Sequence, residues 1–149
     1  PEEIAYLARS SGAKGLLCGA EFPDHARACD GVGFTILIGG SDEASYDALV
    51  EAHLGQSCEP VAVWRDDPCW FFFTSGTTGK PKAAVLTHGQ MAFVVTNHLC
   101  DLMPGTGPED ASVVVAPLSH GAGIHQLAQV AHGVKTILPA GARFDPAEI

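Results

Sequence analysis

Basic residues are scarce in this chain: eight Lys and Arg stand against seventeen Asp and Glu, a formal net charge of -9. That balance argues against a nucleic-acid surface and against a polybasic membrane patch. No apolar run approaches the roughly 18–20 residues that a membrane span needs, and no signal peptide is visible. The five cysteines (Cys18, Cys29, Cys58, Cys69, Cys100) are odd in number and scattered, with no C-x-x-C. They do not read as a disulfide framework. Cys18 and Cys69 sit in or beside apolar runs, where cysteine behaves as a small hydrophobe, and a reducing cytoplasm is the expected setting. Internal repeats and low-complexity segments are also lacking.

What is there describes a compact chain. With 149 residues, 46% hydrophobic and 17% charged, it can bury one core, as one domain or part of one. Both ends read as cut. The chain opens with Pro1, Glu2 and Glu3 at a helix start, and it stops at residues 145–149 where another helix begins.

Apolar spacing divides the chain into alternating strands and helices. A first helix carries Ile4, Leu7 and Ala8 and ends at Gly12. Strands are expected at 14–18 and 34–38, with a helical piece between them at about 24–29. Ser41 reads as the cap of a helix whose face is Tyr46, Leu49, Val50, His53 and Leu54, stopped by Gly55. Residues 56–68 form a surface connection containing a short apolar piece, 61–64. Strands follow at 70–73 and 83–86. Thr87 and Gln90 then form a capping box for a helix expected to bury Met91, Val94, Val95, His98, Leu99 and Leu102. Val113, Val114 and Val115 make a strand buried on both faces. A helix through Ile124, Leu127, Ala128 and Ala131 and a last strand at 135–138 complete the pattern. The class is α/β, a mostly parallel sheet flanked by helices on both faces. Ligands of such sheets collect beyond the carboxyl ends of strands. Thr74-Ser75 and Ala116-Pro117 both stand there, so the two segments are expected to face one cleft.

The chemistry concentrates in residues 73–82. Four hydroxyls (Thr74, Ser75, Thr77, Thr78), two glycines (Gly76, Gly79) and two ammonium groups (Lys80, Lys82) occupy ten residues, directly after the apolar run 70–73. Glycine lets backbone N–H groups approach a ligand, and consecutive amides in a turn make an anion-binding concavity. In a chain so poor in cations, pairing two lysines in one loop points to a polyphosphate. The P-loop of nucleotide hydrolases is rejected by spacing. Only Thr77 and Thr78 separate the glycines, and Pro81 follows Lys80 where a magnesium-binding hydroxyl should stand. A bare Ser/Thr/Gly hairpin tip would need neither both lysines nor so many hydroxyls.

This loop resembles the phosphate-binding signature of the adenylate-forming superfamily, which includes acyl-CoA synthetases, peptide-synthetase adenylation domains and beetle luciferases. Downstream, Pro117-Leu118-Ser119-His120-Gly121-Ala122-Gly123 is similar to the Pro-Leu-x-His-x-x-Gly segment bordering the acyl pocket of acyl- and aryl-CoA ligases. The flanking text at 2–19, 66–68 and 86–88 fits too, so the likeness covers essentially the whole chain in order. The resemblance implies that Thr74, Ser75, Gly76, Thr77, Thr78, Gly79 and Lys82 hold the phosphates of ATP, with Lys82 near the β- and γ-phosphates. For Lys82 the plain alternative is a solvated loop lysine, and Lys80 stands open between a phosphate contact and the same solvated reading. Ala83 replaces the family's usual glycine, and tighter packing is expected there. His120 and Gly121 would border the acyl pocket; for His120 the plain alternative is a half-buried histidine satisfied by a carbonyl. His98 reads as core, His88 as a helix-start residue and the tryptophans as packing. No zinc site is expected among His88, His98, His120, His125 and His132, none of which has ligand spacing to a cysteine or acid.

The implied reaction is attack of a carboxylate on the α-phosphate of ATP, giving an acyl-adenylate and pyrophosphate, then thioester formation with coenzyme A, with Mg²⁺ offsetting the phosphate charge. No acid stands in the second motif to pair a substrate ammonium, so the acid, fatty or aryl, is expected to lack an α-amino group. The superfamily's aromatic-Gly-x-Thr-Glu segment, its ribose-binding Asp and its C-terminal catalytic lysine have no counterpart here. Residues 1–149 are therefore expected to be part of the larger N-terminal domain, cut at both ends, without the C-terminal lid domain and inactive alone. A non-catalytic nucleotide-binding or interaction module of the same ancestry, and luciferase-type oxidation, stay open.

Overall fold

The computed structural model describes residues 1–75, 79–139 and 145–146. The chain divides into two compact units, Pro1–Ala62 with Phe73–Ala83, and Val63–Phe72 with Ala84–Ile149.

In the first unit, helix α1 (Glu2–Ser11) starts behind Pro1 with Glu2 and Glu3 at the positive end of its dipole. Its end is set by Gly12, whose left-handed φ of 66° lets its N–H close on the Ala8 and Arg9 carbonyls. Strands β1 (Gly15–Gly19) and β2 (Phe34–Ile38) pair in parallel, Gly15 opposite Phe34 and Gly19 opposite Ile38. A parallel pair needs a crossover, and helix α2 (Pro23–Ala28) lies within it. Helix α3 (Tyr46–Ala52) follows β2. Its cap is Ser45, whose Oγ accepts from the Ala48 N–H, and not the expected Ser41. The physical reason is a turn closed by the Ser45 N–H on the Asp42 carbonyl, 3.1 Å. That turn consumes Asp42 and Glu43 before the helix begins, while Ser45 is buried beside β2.

Strand β3 (Pro68–Thr74) and strand β4 (Lys82–Thr87) are hydrogen-bonded neighbours. Seven residues join them, too few for a parallel crossover. The His88 N–H bonds the Asp67 carbonyl at 3.0 Å where β4 ends and β3 begins, so the pair is an antiparallel hairpin. In the second unit, Thr87 and Gln90 form the expected capping box, with bonds of 2.9 and 3.2 Å, and open helix α4 (His88–Asn97). A π-helical turn, His98–Leu102, continues it, closed by the Met103 N–H on the His98 carbonyl at 2.7 Å. Such a turn carries one more residue than an α turn. The apolar stripe therefore slips: Met91 is buried and Val94, Val95, His98 and Leu99 are partly covered, but Leu102 is 60% exposed, against the expectation that it is buried.

Strands β5 (Ala111–Val113) and β6 (Lys135–Ile137) pair in parallel, flanking helix α5 (Gly121–Ala131). Val114 still donates to the Ile137 carbonyl, but the strand stops short of Val115, which is 59% exposed rather than buried on both sides. The turn that follows at 117–120 carries the chain off the ladder. The class is α/β, with two parallel ladders and one antiparallel hairpin among the described residues.

Candidate functional site

The loop residues Gly76, Thr77 and Thr78 lie outside the described residues. What borders them is described. Thr74 ends β3 and Ser75 follows it, both exposed. On the returning arm, Gly79 has a left-handed φ of 82°, a conformation that glycine adopts without penalty and that turns the chain toward Lys80. Lys82 is the first residue of β4. Lys80 and Lys82 are exposed, and among the described residues neither forms an ion pair; the ion pair found joins Arg27 and Asp24 on α2. Two ammonium groups without an ion pair among the described residues thus stand on one arm of a hydroxyl-bearing loop. Ala83 is exposed, so the extra methyl at this position meets solvent and not the tighter packing expected.

One contact here was invisible in the sequence. The Tyr6 hydroxyl, on α1, donates to the Pro81 carbonyl at 3.3 Å, within the first unit. It ties down the backbone just ahead of Lys82, across 75 residues of chain. No local pattern marks such a partner.

In the second motif, His120 is the residue before α5, in an extended conformation, and Gly121 opens the helix. Two turns hold this stretch: the His120 N–H bonds the Pro117 carbonyl at 3.1 Å, and the Gly123 N–H bonds the His120 carbonyl at 2.9 Å. The His120 side chain is exposed and makes no hydrogen bond among the described residues, so the carbonyl-satisfied, half-buried alternative does not hold. Its ring instead meets Phe72 of β3 edge to face, centroids 6.1 Å apart. Phe72 in turn stacks on Trp70 at 5.0 Å. The period-2 alternation of a strand puts Trp70 and Phe72 on one face, and that was the available signal for an aromatic support under the motif. Beside it, a cavity of about 130 Å³ is lined by Val113, Ala116, Ala122, His125, Gln126 and Gln129, among others.

His98 is half-buried, its Nδ1 2.9 Å from the Val94 carbonyl, and its ring meets His125 edge to face at 4.7 Å. His88 is the first residue of α4. Among the described residues, no group of three His, Cys, Asp or Glu is placed to hold a metal ion. None of the described helices is long and apolar enough to cross a membrane.

A glycine- and hydroxyl-rich loop between hairpin strands, followed by a histidine segment opening a helix, marks the adenylate-forming class of enzymes. Residues 1–149 match the family of AMP-binding enzymes over their whole length, and the chain belongs to it. The chain is 33% identical to the long-chain-fatty-acid–CoA ligase of Thermus thermophilus, over all of this chain and 28% of that protein. It is 33% identical to 4-coumarate–CoA ligase 2 of Oryza sativa, over 80% of this chain and 24% of that protein. ATP-bound MatB from Rhodopseudomonas palustris shares the fold, with a TM-score of 0.69 and 22% identity, over 97% of this chain and 29% of that one. The chain therefore spans under a third of the length of each.

Proposed function

We propose that this chain supplies the phosphate-holding loop and part of the acyl pocket of an AMP-forming acid–CoA ligase. In this reading an oxygen of the substrate carboxylate attacks the α-phosphorus of ATP, the bond to the bridging oxygen breaks, and pyrophosphate departs as the acyl-adenylate forms. The coenzyme A sulfur then displaces AMP from the acyl carbon. The amides and hydroxyls of residues 74–79 cradle the departing pyrophosphate, and Lys82 offsets its charge. Stabilising charge that develops on a leaving group, with donors held ready, is the effective form of such catalysis.

One observation carries the reading: Lys82 stands exposed and, among the described residues, without an ion-pair partner on the returning arm of the loop. Mg²⁺ would enter with ATP as part of the substrate, and the loop itself contains no carboxylate that would hold it. His120 and Gly121 border the acid. The small run Gly121-Ala122-Gly123, with no acid in the motif to pair an ammonium, favours a fatty or aryl acid, the kinds of acid named for the two ligase relatives. The chain is then a portion of the larger N-terminal domain, with the C-terminal lid domain beyond it, a reading that fits its 28% share of the Thermus thermophilus relative. Alone it does not turn over. Five free cysteines accord with a cytoplasmic setting.

The test uses the intact protein with ATP, Mg²⁺, coenzyme A and a panel of fatty and aryl acids. Acid-dependent exchange of pyrophosphate into ATP, followed by AMP and thioester, is expected. Release of ADP, or no exchange with any acid, would overturn the proposal, the latter in favour of a binding module.

A further inference from the structure

We infer that Phe72 is a positioning residue for the acid-handling step, holding the His120 imidazole through ring contact; the inference rests on the reading of His120 as a border of the acyl pocket. The imidazole needs such a partner because no hydrogen bond among the described residues orients it. It is exposed, sits at a non-helical residue, and makes no hydrogen bond among the described residues. Its ring contact is Phe72, edge to face at an interplanar angle of 73°, the preferred geometry of aromatic pairs.

Phe72 is itself held. It stacks on Trp70 at 16° between planes. The rings lie on the same face of β3, two residues apart. Gly123 packs close to Trp70, since a Cβ built on Gly123 would stand 3.1 Å from its Cη2 and inside contact distance of the Leu118 carbonyl oxygen. Gly123 therefore lets the first turn of α5 close onto both the motif and the tryptophan. The result is a stack running from α5 through Trp70 and Phe72 to His120, all within the second unit. An aromatic edge contact is worth about two- to twelvefold in an equilibrium, so Phe72 tunes the acid step and does not create it.

The test is a double-mutant cycle in the intact protein, read as kcat/KM for the carboxylic acid and, separately, KM for ATP. Phe72→Leu should lower kcat/KM for the acid about two- to twelvefold and leave KM for ATP unchanged. Phe72→Tyr, which keeps the ring, should restore it. In the His120→Ala background, Phe72→Leu should cost nothing further, because the partner through which it acts is gone. Where leucine impairs folding, Phe72→Met, an adaptable gap-filler, takes its place. Additive losses, or a Phe72→Leu protein with unaltered acid kinetics, would overturn this inference alone. If His120→Ala by itself changes nothing, the acyl-border reading of His120 falls with it, while the phosphate-loop reading is untouched.

Discussion

Replacing Lys82 with alanine tests the phosphate loop most directly. The side chain is exposed and, among the described residues, unpaired, so its removal breaks no ion pair there and should leave stability nearly unchanged. On the proposed role, what is lost is attraction for the departing pyrophosphate. At 4 Å, two unit charges interact by about 1 kcal/mol in bulk water and about 4 kcal/mol where protein and ligand screen the solvent. Converted at about 1.36 kcal/mol per tenfold, that is a loss between about fivefold and about nine-hundredfold. Water surrounds Lys82 before ATP arrives and is displaced when ATP binds, so the measured value should lie inside those limits. The assay is acid-dependent pyrophosphate exchange at saturating acid, repeated at rising salt. Lys80→Ala is the internal control and should lose less than Lys82→Ala. High salt should narrow the difference, since an exposed charge is screened within about 10 Å at 0.1 M. Wild-type exchange in Lys82→Ala, or a larger loss in Lys80→Ala, would refute the assignment.

Three further outcomes are expected. Tyr6→Phe removes the bond to the Pro81 carbonyl and should raise KM for ATP by about two- to twelvefold, from a net bond worth about 0.5–1.5 kcal/mol; an unchanged KM would show that this tether does not set the loop. Gln129 is only 6% exposed, and its Oε1 has no hydrogen-bond partner among the described residues. An orphaned buried acceptor costs about 1–3 kcal/mol, so Gln129→Met should slow amide hydrogen exchange in α5, and faster exchange would contradict that account. Thr87→Ala abolishes the capping box of α4 and should weaken that helix by about 0.5–2 kcal/mol, seen as faster exchange of its first-turn amides; equal rates would count against the box.

The sequence was most legible where a single local rule decides the outcome. Strand β2 occupies the residues expected of it, and the Thr87–Gln90 box was visible as a spacing of three. Legibility failed where a neighbour outside the local window decides. Ser41 and Ser45 are chemically equivalent caps, and the choice between them is made by the turn on Asp42 and by β2 alongside. Leu102 continues an ideal helical stripe, and no residue type announces a π turn. The site divides in the same way. Its motifs are contiguous and could be read directly, with Gly76, Thr77 and Thr78 lying outside the described residues. Tyr6 and Phe72, by contrast, reach the motifs through space, from α1 and from the strand ahead of the loop.

The π turn at His98–Leu102 has an evolutionary corollary. Because it houses a surplus residue, a cousin chain one position shorter here could revert to ordinary coiling without disturbing anything upstream. Leu102 would then swing back toward the side occupied by Met91, and the stretch leading to Pro104 would begin a third of a revolution away. Single-residue length differences among relatives should therefore gather at this spot, which works as a built-in expansion joint between α4 and the strand that precedes the histidine segment.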